Sequence, residues 1–163
     1  MTNASERLTL SGRTARARRK LSAPGEYLLA RGLLAGRVLD FGCGHGDLAK
    51  FIAAKETQTS PWPSSIEQWD PNFHDKKPRG KFDTVACIYV LNVLPPRCRK
   101  KVLQEAQAYV KKRGRLYVAV RRDLSGEGKT SIGTEQYNVH LRKPFESIYR
   151  RSKSFEIYEW TNV

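Results

Sequence analysis

No stretch of the chain approaches the roughly 18 consecutive apolar residues that a membrane-crossing helix requires, so a membrane span is excluded. The N-terminus has no apolar core of the kind a secretion signal carries. Cysteine is scarce: Cys43, Cys87 and Cys98 show no CxxC spacing and no nearby His/Cys partner set, which argues against a metal site or a disulfide framework. An odd number of thiols inside apolar segments reads as buried cysteines of a reducing compartment, so a cytoplasmic location is expected. No catalytic triad and no internal repeat is visible. Acidic residues are also few. Sixteen Asp and Glu face thirty Lys and Arg, a formal charge of +14 on 163 residues. Such a field attracts polyanions, and nucleic acid is the expected partner. The charge is clustered, first at Arg13, Arg16, Arg18, Arg19 and Lys20, next at Arg97, Arg99, Lys100 and Lys101, and last at Arg142, Lys143, Arg150, Arg151 and Lys153.

What is present is an alternation of strand and helix patterns. Residues 1–20 are polar, basic and aperiodic, an expected arm ahead of a single domain spanning 21–163. "APGEYLLARGLLAG" predicts a helix with Pro24 at its start and Gly36 at its end. "RVLDF" is a strand, "GDLAKFIAAK" a helix, "ETQTSPWPS" a loop, and "SIEQWD" a short strand ending at Asp70. "PNFHDKKPRGK" is too polar and too broken by Pro and Gly for regular structure. "FDTVACIYVL" is nearly continuous in its apolar character, as expected of a central strand buried on both faces. "PRCRKKVLQEAQAYVKKRG" predicts a helix stopped by Gly114, its last-turn Lys111, Lys112 and Arg113 complementing the dipole. "RLYVAVRR" is a strand and 123–134 a Gly/Ser-rich loop. A hairpin or short helix is expected over 135–152, and "SFEIYEW" is a final strand. This is an α/β domain with a mostly parallel sheet. Its ligand rim lies at the strands' carboxyl ends, which gathers Asp40 to Gly46, Asp70, Cys87 to Asn92 and Arg121 to Asp123.

In "RVLDFGCGHG", three glycines at alternate positions follow a buried strand. Side chains at Gly42, Gly44 and Gly46 would fill the space where a ligand could lie against backbone N–H groups. A dinucleotide loop prefers G-x-G-x-x-G, and no phosphate-loop Lys-Ser/Thr follows here. Asp40, two residues ahead of the first glycine, repels a phosphate and suits an ammonium or sulfonium group.

"VLDFGCGHGDL" resembles motif I of the class I S-adenosylmethionine-dependent methyltransferases. The resemblance implies a Rossmann-like sheet with helices on both faces. It also implies that Asp40, Phe41, Gly42, Cys43, Gly44 and Gly46 take the methionine part of the cofactor, with Asp40 near its amino group. Asp70 in "EQWDP", with Pro71 beside it, matches the acid that holds the ribose hydroxyls, and Tyr89 is also an expected cofactor contact. "KFDTVACIYVLNVLPP" occupies the motif IV position. "KLSAP", "DFGCGHGD", "WDP", "YVLNVLPP", "VAVR" and "TSIGTEQY" together resemble a group of bacterial and phage methyltransferases, some labelled as associated with DNA phosphorothioation. That match covers roughly residues 20–141. The stretch from Asp70 to Lys81 is too short for the usual helix and third strand, so that sheet edge is expected to be trimmed. Asp75 or Phe73 is left as a candidate for the adenine. "YVLNVLPP" is not the Asn/Asp-Pro-Pro-aromatic motif of amino-directed DNA methyltransferases, so an exocyclic amine is not implied as the acceptor.

Tyr89 and Asn92 sit just past the fourth strand position of the family, where the methyl group is handed over. Asn92 offers an acceptor and donors to a target heteroatom, and Tyr89 a face on which a base could stack. The same residues could instead line the core and cap the turn before Pro95. Lys20, Arg121, Arg122 and Gln136 are the expected substrate contacts, with Gly133 and Thr134 on the same loop. Displacement at a sulfonium depends on alignment and desolvation, so no triad or metal is required. If the nucleophile must lose a proton, Asp123, His45 and His140 are the candidate bases. The expected function is methyl transfer to DNA or RNA, with a partner protein or loose preference in place of a target-recognition domain. A small-molecule or protein methyltransferase, or an inactive cofactor-binding subunit, is the alternative.

Overall fold

The computed structural model describes residue 15 and residues 19–54, 63–124, 128–129 and 135–163. Most of the expected arm, most of the loop at 56–64, and Gly133 and Thr134 lie outside the described residues. Helix α1 (Ala23–Ala30) leads into strand β1 (Arg37–Phe41), helix α2 (Asp47–Ala54), β2 (Ser65–Trp69) and β3 (Phe82–Ile88). A 3-10 turn (Leu91–Val93) and helix α3 (Pro96–Ala108) connect to β4 (Val110–Arg121). A two-residue ribbon, β5 (Gly128–Lys129) with β6 (Glu135–Gln136), precedes the hairpin of β7 (Glu146–Arg151) and β8 (Phe155–Thr161). The main sheet has the order β2-β1-β3-β4-β8-β7. The pairs β2–β1, β1–β3 and β3–β4 are parallel, and β8 is antiparallel to both of its neighbours.

The apolar runs of β1, β3 and β4 are continuous because both faces of the sheet are covered. On one face Leu28 of α1 and Leu48 and Ile52 of α2 pack with Val38, Ala86 and Ile157. On the other, Ala106 of α3 packs with Leu39, Phe41, Val85 and Leu116. Strand alternation thereby sorts neighbours in sequence onto opposite faces. No described helix is long and apolar enough to cross a membrane.

Two boundaries differ from the sequence reading. First, α1 stops at Ala30, short of Gly36. Gly32 N–H donates to Leu29 O at 3.0 Å and Leu33 N–H to Leu28 O at 2.9 Å, the paired bonds that close a helix at a left-handed glycine. Ser22 caps the other end, accepting from Gly25 N–H at 3.3 Å.

Second, α3 ends at Ala108, and Lys111, Lys112 and Arg113 belong to β4. The register passes from Phe82↔Val110 to Thr84↔Arg115, so four residues of β4 oppose the single Asp83. Arg113 adopts φ +63° there, and Lys111 pairs with Asp83. Gly114 marks this bulge and not a helix end, since a Cβ on it would lie 2.8 Å from Asp83 O. Of the hairpin or short helix expected over 135–152, the hairpin alternative is the one found, with β7 turning back along β8 and β6 pairing with β5.

The trimmed edge is present as expected. Between Trp69 and Phe82 the described chain has only an isolated bridge, Asp70–His74, and β2 borders the sheet. Arg37 secures this segment by donating to Lys81 O at 3.1 Å and Arg79 O at 2.8 Å, and by pairing with Glu67.

Candidate active site

Because β1, β2, β3 and β4 run parallel, their carboxyl ends open onto one rim, and there a cleft of about 240 Å³ is found. The glycine loop forms its floor. Gly42 and Gly46 take φ +75° and +77°, and a Cβ on them would run into Val90 and the Gln68 amide respectively. Both positions therefore exclude any side chain, for conformation and for space. Gly42 and Cys43 N–H groups both donate to Trp69 O, at 2.7 and 3.1 Å. These bonds pin the loop to the end of β2. Ala15 lies against Gly44 on the cleft wall.

Asp40 and Asp70 stand on either side of this loop. Asp40 is 4% exposed, and burial pushes its carboxyl up to about 7, helped by the nearby Asp70 and Asp47. A buried acid in that state is stabilised as an anion by any cation that enters the cleft. Asp70 Oδ2 accepts from Gly44 N–H at 3.0 Å and Oδ1 from Asn72 N–H at 2.8 Å. Its backbone is bridged to His74 in both directions at 3.0 Å. That tight reversal carries exposed Phe73 over His45, with ring centroids 4.2 Å apart. Pro71 borders the cleft beside Asp70.

Burial and the Asp40 charge push the Cys43 and Cys87 thiols up, Cys87 to about 12. Neither is a thiolate nucleophile; Cys43 contributes its backbone to the loop.

Tyr89 lines the cleft in a left-handed conformation, φ +61°, with its N–H donating to Ala119 O at 2.9 Å. A non-glycine residue held there costs about 1–3 kcal/mol and persists only where surrounding structure enforces it, a pattern concentrated at functional sites. The sequence pointed to Tyr89 as a candidate but carried no sign of this backbone conformation.

Several sequence expectations are corrected. Asn92 borders the cleft but is 1% exposed, with both ends of its amide engaged by backbone. Its Oδ1 accepts from Arg121 N–H at 2.8 Å, and its Nδ2 donates to Tyr137 O at 2.7 Å. It therefore joins three segments of the rim and does not present its amide to an acceptor. Arg122, expected beside Arg121 as a substrate contact, points to the other face of the sheet. There it pairs with Glu156 in a buried site, its side chain 5% exposed, and donates to Tyr158 Oη at 2.8 Å.

Arg121 itself lines the cleft. It grips Asp123 through two bonds of 2.8 Å and donates to Gln136 Oε1 at 2.6 Å. This grip holds the Asp123 carboxyl below the usual range, which removes it as a base. Gln136 also faces the cleft, from the short ribbon. Lys20 is exposed one residue ahead of Leu21, which lines the cleft, and does not line it itself. Val102 and Glu105 of α3 complete the wall and were missed from sequence. The available signal was Glu105 falling on the same stripe as Cys98, Val102 and Tyr109.

These residues fit S-adenosylmethionine. The glycine loop lines the cleft with Gly42 and Gly46 in backbone conformations that exclude a side chain, a buried acid calls for a cation, and a second acid stands at the end of the next strand. A methyltransferase domain matches the chain over residues 13–154. The chain belongs to the methyltransferase domain family. It is an S-adenosylmethionine-dependent methyltransferase, and S-adenosylmethionine is its cofactor.

Solved methyltransferases share its fold at low identity. DhpI in complex with SAH is 11% identical, covers 95% of each chain and has a TM-score of 0.61. The 1,6-didemethyltoxoflavin-N1-methyltransferase of Burkholderia thailandensis, bound to S-adenosylhomocysteine, is 12% identical over 86% of this chain and 77% of its own, TM-score 0.59. Magnesium protoporphyrin IX methyltransferase from Synechocystis PCC 6803 is 16% identical over 100% of this chain and 89% of its own, TM-score 0.52. No protein of curated function matches the methyltransferase.

Proposed function

We propose that this methyltransferase acts on a nucleic acid, DNA or RNA, by direct in-line transfer. What carries the reading is the position of its basic side chains. Arg19 and Lys20 are exposed immediately ahead of Leu21 and Ser22, which line the cleft. Arg151 is level with Arg121 across the sheet through Phe155, so the exposed Arg151 and Lys153 of the β7–β8 turn lie at the same end as the cleft. In a chain of net charge +14 this basic rim attracts a phosphate backbone and brings it to the mouth.

The cofactor, when bound, supplies an activated methyl group on a cationic sulfur. Asp40 holds its ammonium group, Asp70 its ribose hydroxyls, and the loop from Gly42 to Gly46 lies against its methionine part. Tyr89, turned out of β3 by its strained backbone, stacks on the acceptor base. Asn92 is a positioning residue that fixes Arg121 and Tyr137. Target choice rests with a partner protein or is loose.

A second reading, a small-molecule acceptor, is favoured by two enzymes of like fold, which are named for a toxoflavin precursor and a porphyrin. Labelled S-adenosylmethionine incubated with DNA, RNA, protein and small-molecule pools separates the two. Label in nucleic acid, with binding weakened roughly tenfold or more between 50 and 200 mM salt, is the expected result. Label in the small-molecule pool without salt dependence overturns the proposal.

A further inference from the structure

The loss of a third strand leaves a chemical gap. Next to β2, where a further strand and its loop would wall the cleft, this chain has only the Asp70–His74 reversal. Asp75 and Phe73, the sequence candidates for the nucleobase, do not line the cleft, and Phe73 is turned onto His45. The wall is supplied instead from the opposite direction. Trp69 lies on the α3 face of the sheet, packed against Phe41 with the rings tilted and their centroids 4.7 Å apart. Val90, Leu94 and Val102 continue the same apolar surface into the cleft. One turn beyond Val102, Glu105 places a single carboxylate at its border. Glu105 accepts no hydrogen bond and forms no ion pair among the described residues.

We infer that α3 replaces the missing sheet edge as the nucleobase wall, with Glu105 as the residue that selects adenine. This rests on Asp70 holding the ribose, as proposed above. Trp69 precedes Asp70 and points to the α3 face, so a base attached to a ribose at Asp70 is adjacent to this surface. A planar, uncharged base suits an apolar slot of Trp69, Val90 and Val102. An ionised carboxylate only accepts hydrogen bonds, and adenine has an exocyclic amine that donates. Hypoxanthine carries a carbonyl oxygen at the same position and meets Glu105 acceptor to acceptor. The site is therefore specific for the amine and rejects the oxo base, the kind of discrimination that a placed polar partner gives.

Calorimetry with two probes tests this: S-adenosylhomocysteine and its deaminated analogue S-inosylhomocysteine. The wild-type protein is expected to prefer the adenosyl compound roughly 10- to 100-fold, the range of one charge-assisted bond with its unpaired counterpart. Glu105→Ala loses most of that preference by weakening the adenosyl compound. Glu105→Gln, which can present either end of its amide, narrows the preference from both sides while keeping the side-chain shape. Circular dichroism checks that each variant is folded. Equal binding of both probes by the wild type, or an unchanged ratio in both variants, overturns the assignment of Glu105. An absence of heat with S-adenosylhomocysteine in the wild type is a different failure, that of the cleft as the cofactor site. An Asp70→Ala variant with undiminished binding removes the ribose placement on which this wall depends.

Discussion

Replacing Asp40 by Asn separates the stability of the ligand-free protein from its ability to hold the cofactor. The Asp40 carboxyl rises from 3.8 to about 7 on folding, because burial and then Asp70 and Asp47 disfavour its charge. The folded protein thus keeps a proton that the unfolded chain has already released. The contribution of Asp40 to stability is fully present below about pH 4 and is lost as the pH rises through the interval up to about 7. At about 1.4 kcal/mol per pH unit, that interval of 3.8 to about 7 is worth on the order of 4 kcal/mol. Asparagine keeps the shape and has no proton to lose, so the variant escapes this loss. For a chain of this size 1 kcal/mol moves the melting midpoint by roughly 2–4 °C, and Asp40→Asn is expected to melt on the order of 10 °C higher than wild type at about pH 8. Near pH 4 the two proteins should melt together. Adding S-adenosylhomocysteine should raise the wild-type midpoint at pH 8 and leave the variant unmoved, since the neutral amide gives an ammonium group no counter-charge. Scanning calorimetry at the two pH values, with and without the ligand, reads all four quantities. A variant that melts no higher than wild type at pH 8, or that is stabilised equally at both pH values, refutes the account of Asp40.

Other substitutions test the scaffold around it. Gly46→Ala forces a Cβ onto the Gln68 amide at φ +77°, and should cost about 1–3 kcal/mol in urea unfolding while weakening S-adenosylhomocysteine binding. Asn92→Ala removes the side-chain acceptor of Arg121 N–H and a donor to Tyr137 O, and should cost about 1–3 kcal/mol for the buried hydrogen bonding lost. Its turnover should fall together with its unfolding midpoint, whereas a residue contacting only the acceptor would lower turnover alone. Arg122→Met leaves Glu156 buried without its cation and should destabilise by about 3–5 kcal/mol. Adding Glu156→Leu should recover most of that loss, with cofactor affinity unchanged in the double variant if it folds.

The loop and the two acids proposed to hold the cofactor were more legible in the sequence than the residues proposed to face the substrate, for a physical reason. Gly42, Gly44 and Gly46 announce themselves because few other residues can take their backbone, and Asp40 and Asp70 because each is an acid at the carboxyl end of a strand, on the rim where ligands of such sheets bind. The continuous apolar run of β3 likewise signals a strand covered on both faces. Arg121 and Arg122, by contrast, are the same residue type side by side, and only the pleat of β4 decides that one faces the cleft and the other a buried glutamate. Lys111, Lys112 and Arg113 match the charge pattern of a helix end, and the bulge opposite Asp83 exists only once β3 and β4 have paired. The amide of Asn92 has the chemistry of a catalytic group, but its partners are supplied by Arg121 and Tyr137, 29 and 45 residues away. Glu105 was hidden because an acid on an otherwise basic helix reads as surface.

The carboxylate of Asp70 bonds at once to the loop after β1 and to the turn after β2. One side chain therefore acts as a clasp between two walls that the chain builds 26 residues apart. Those walls cannot drift independently: whatever loosens one hinge line slackens the other. A ligand that competes for either oxygen is sensed by both strands together.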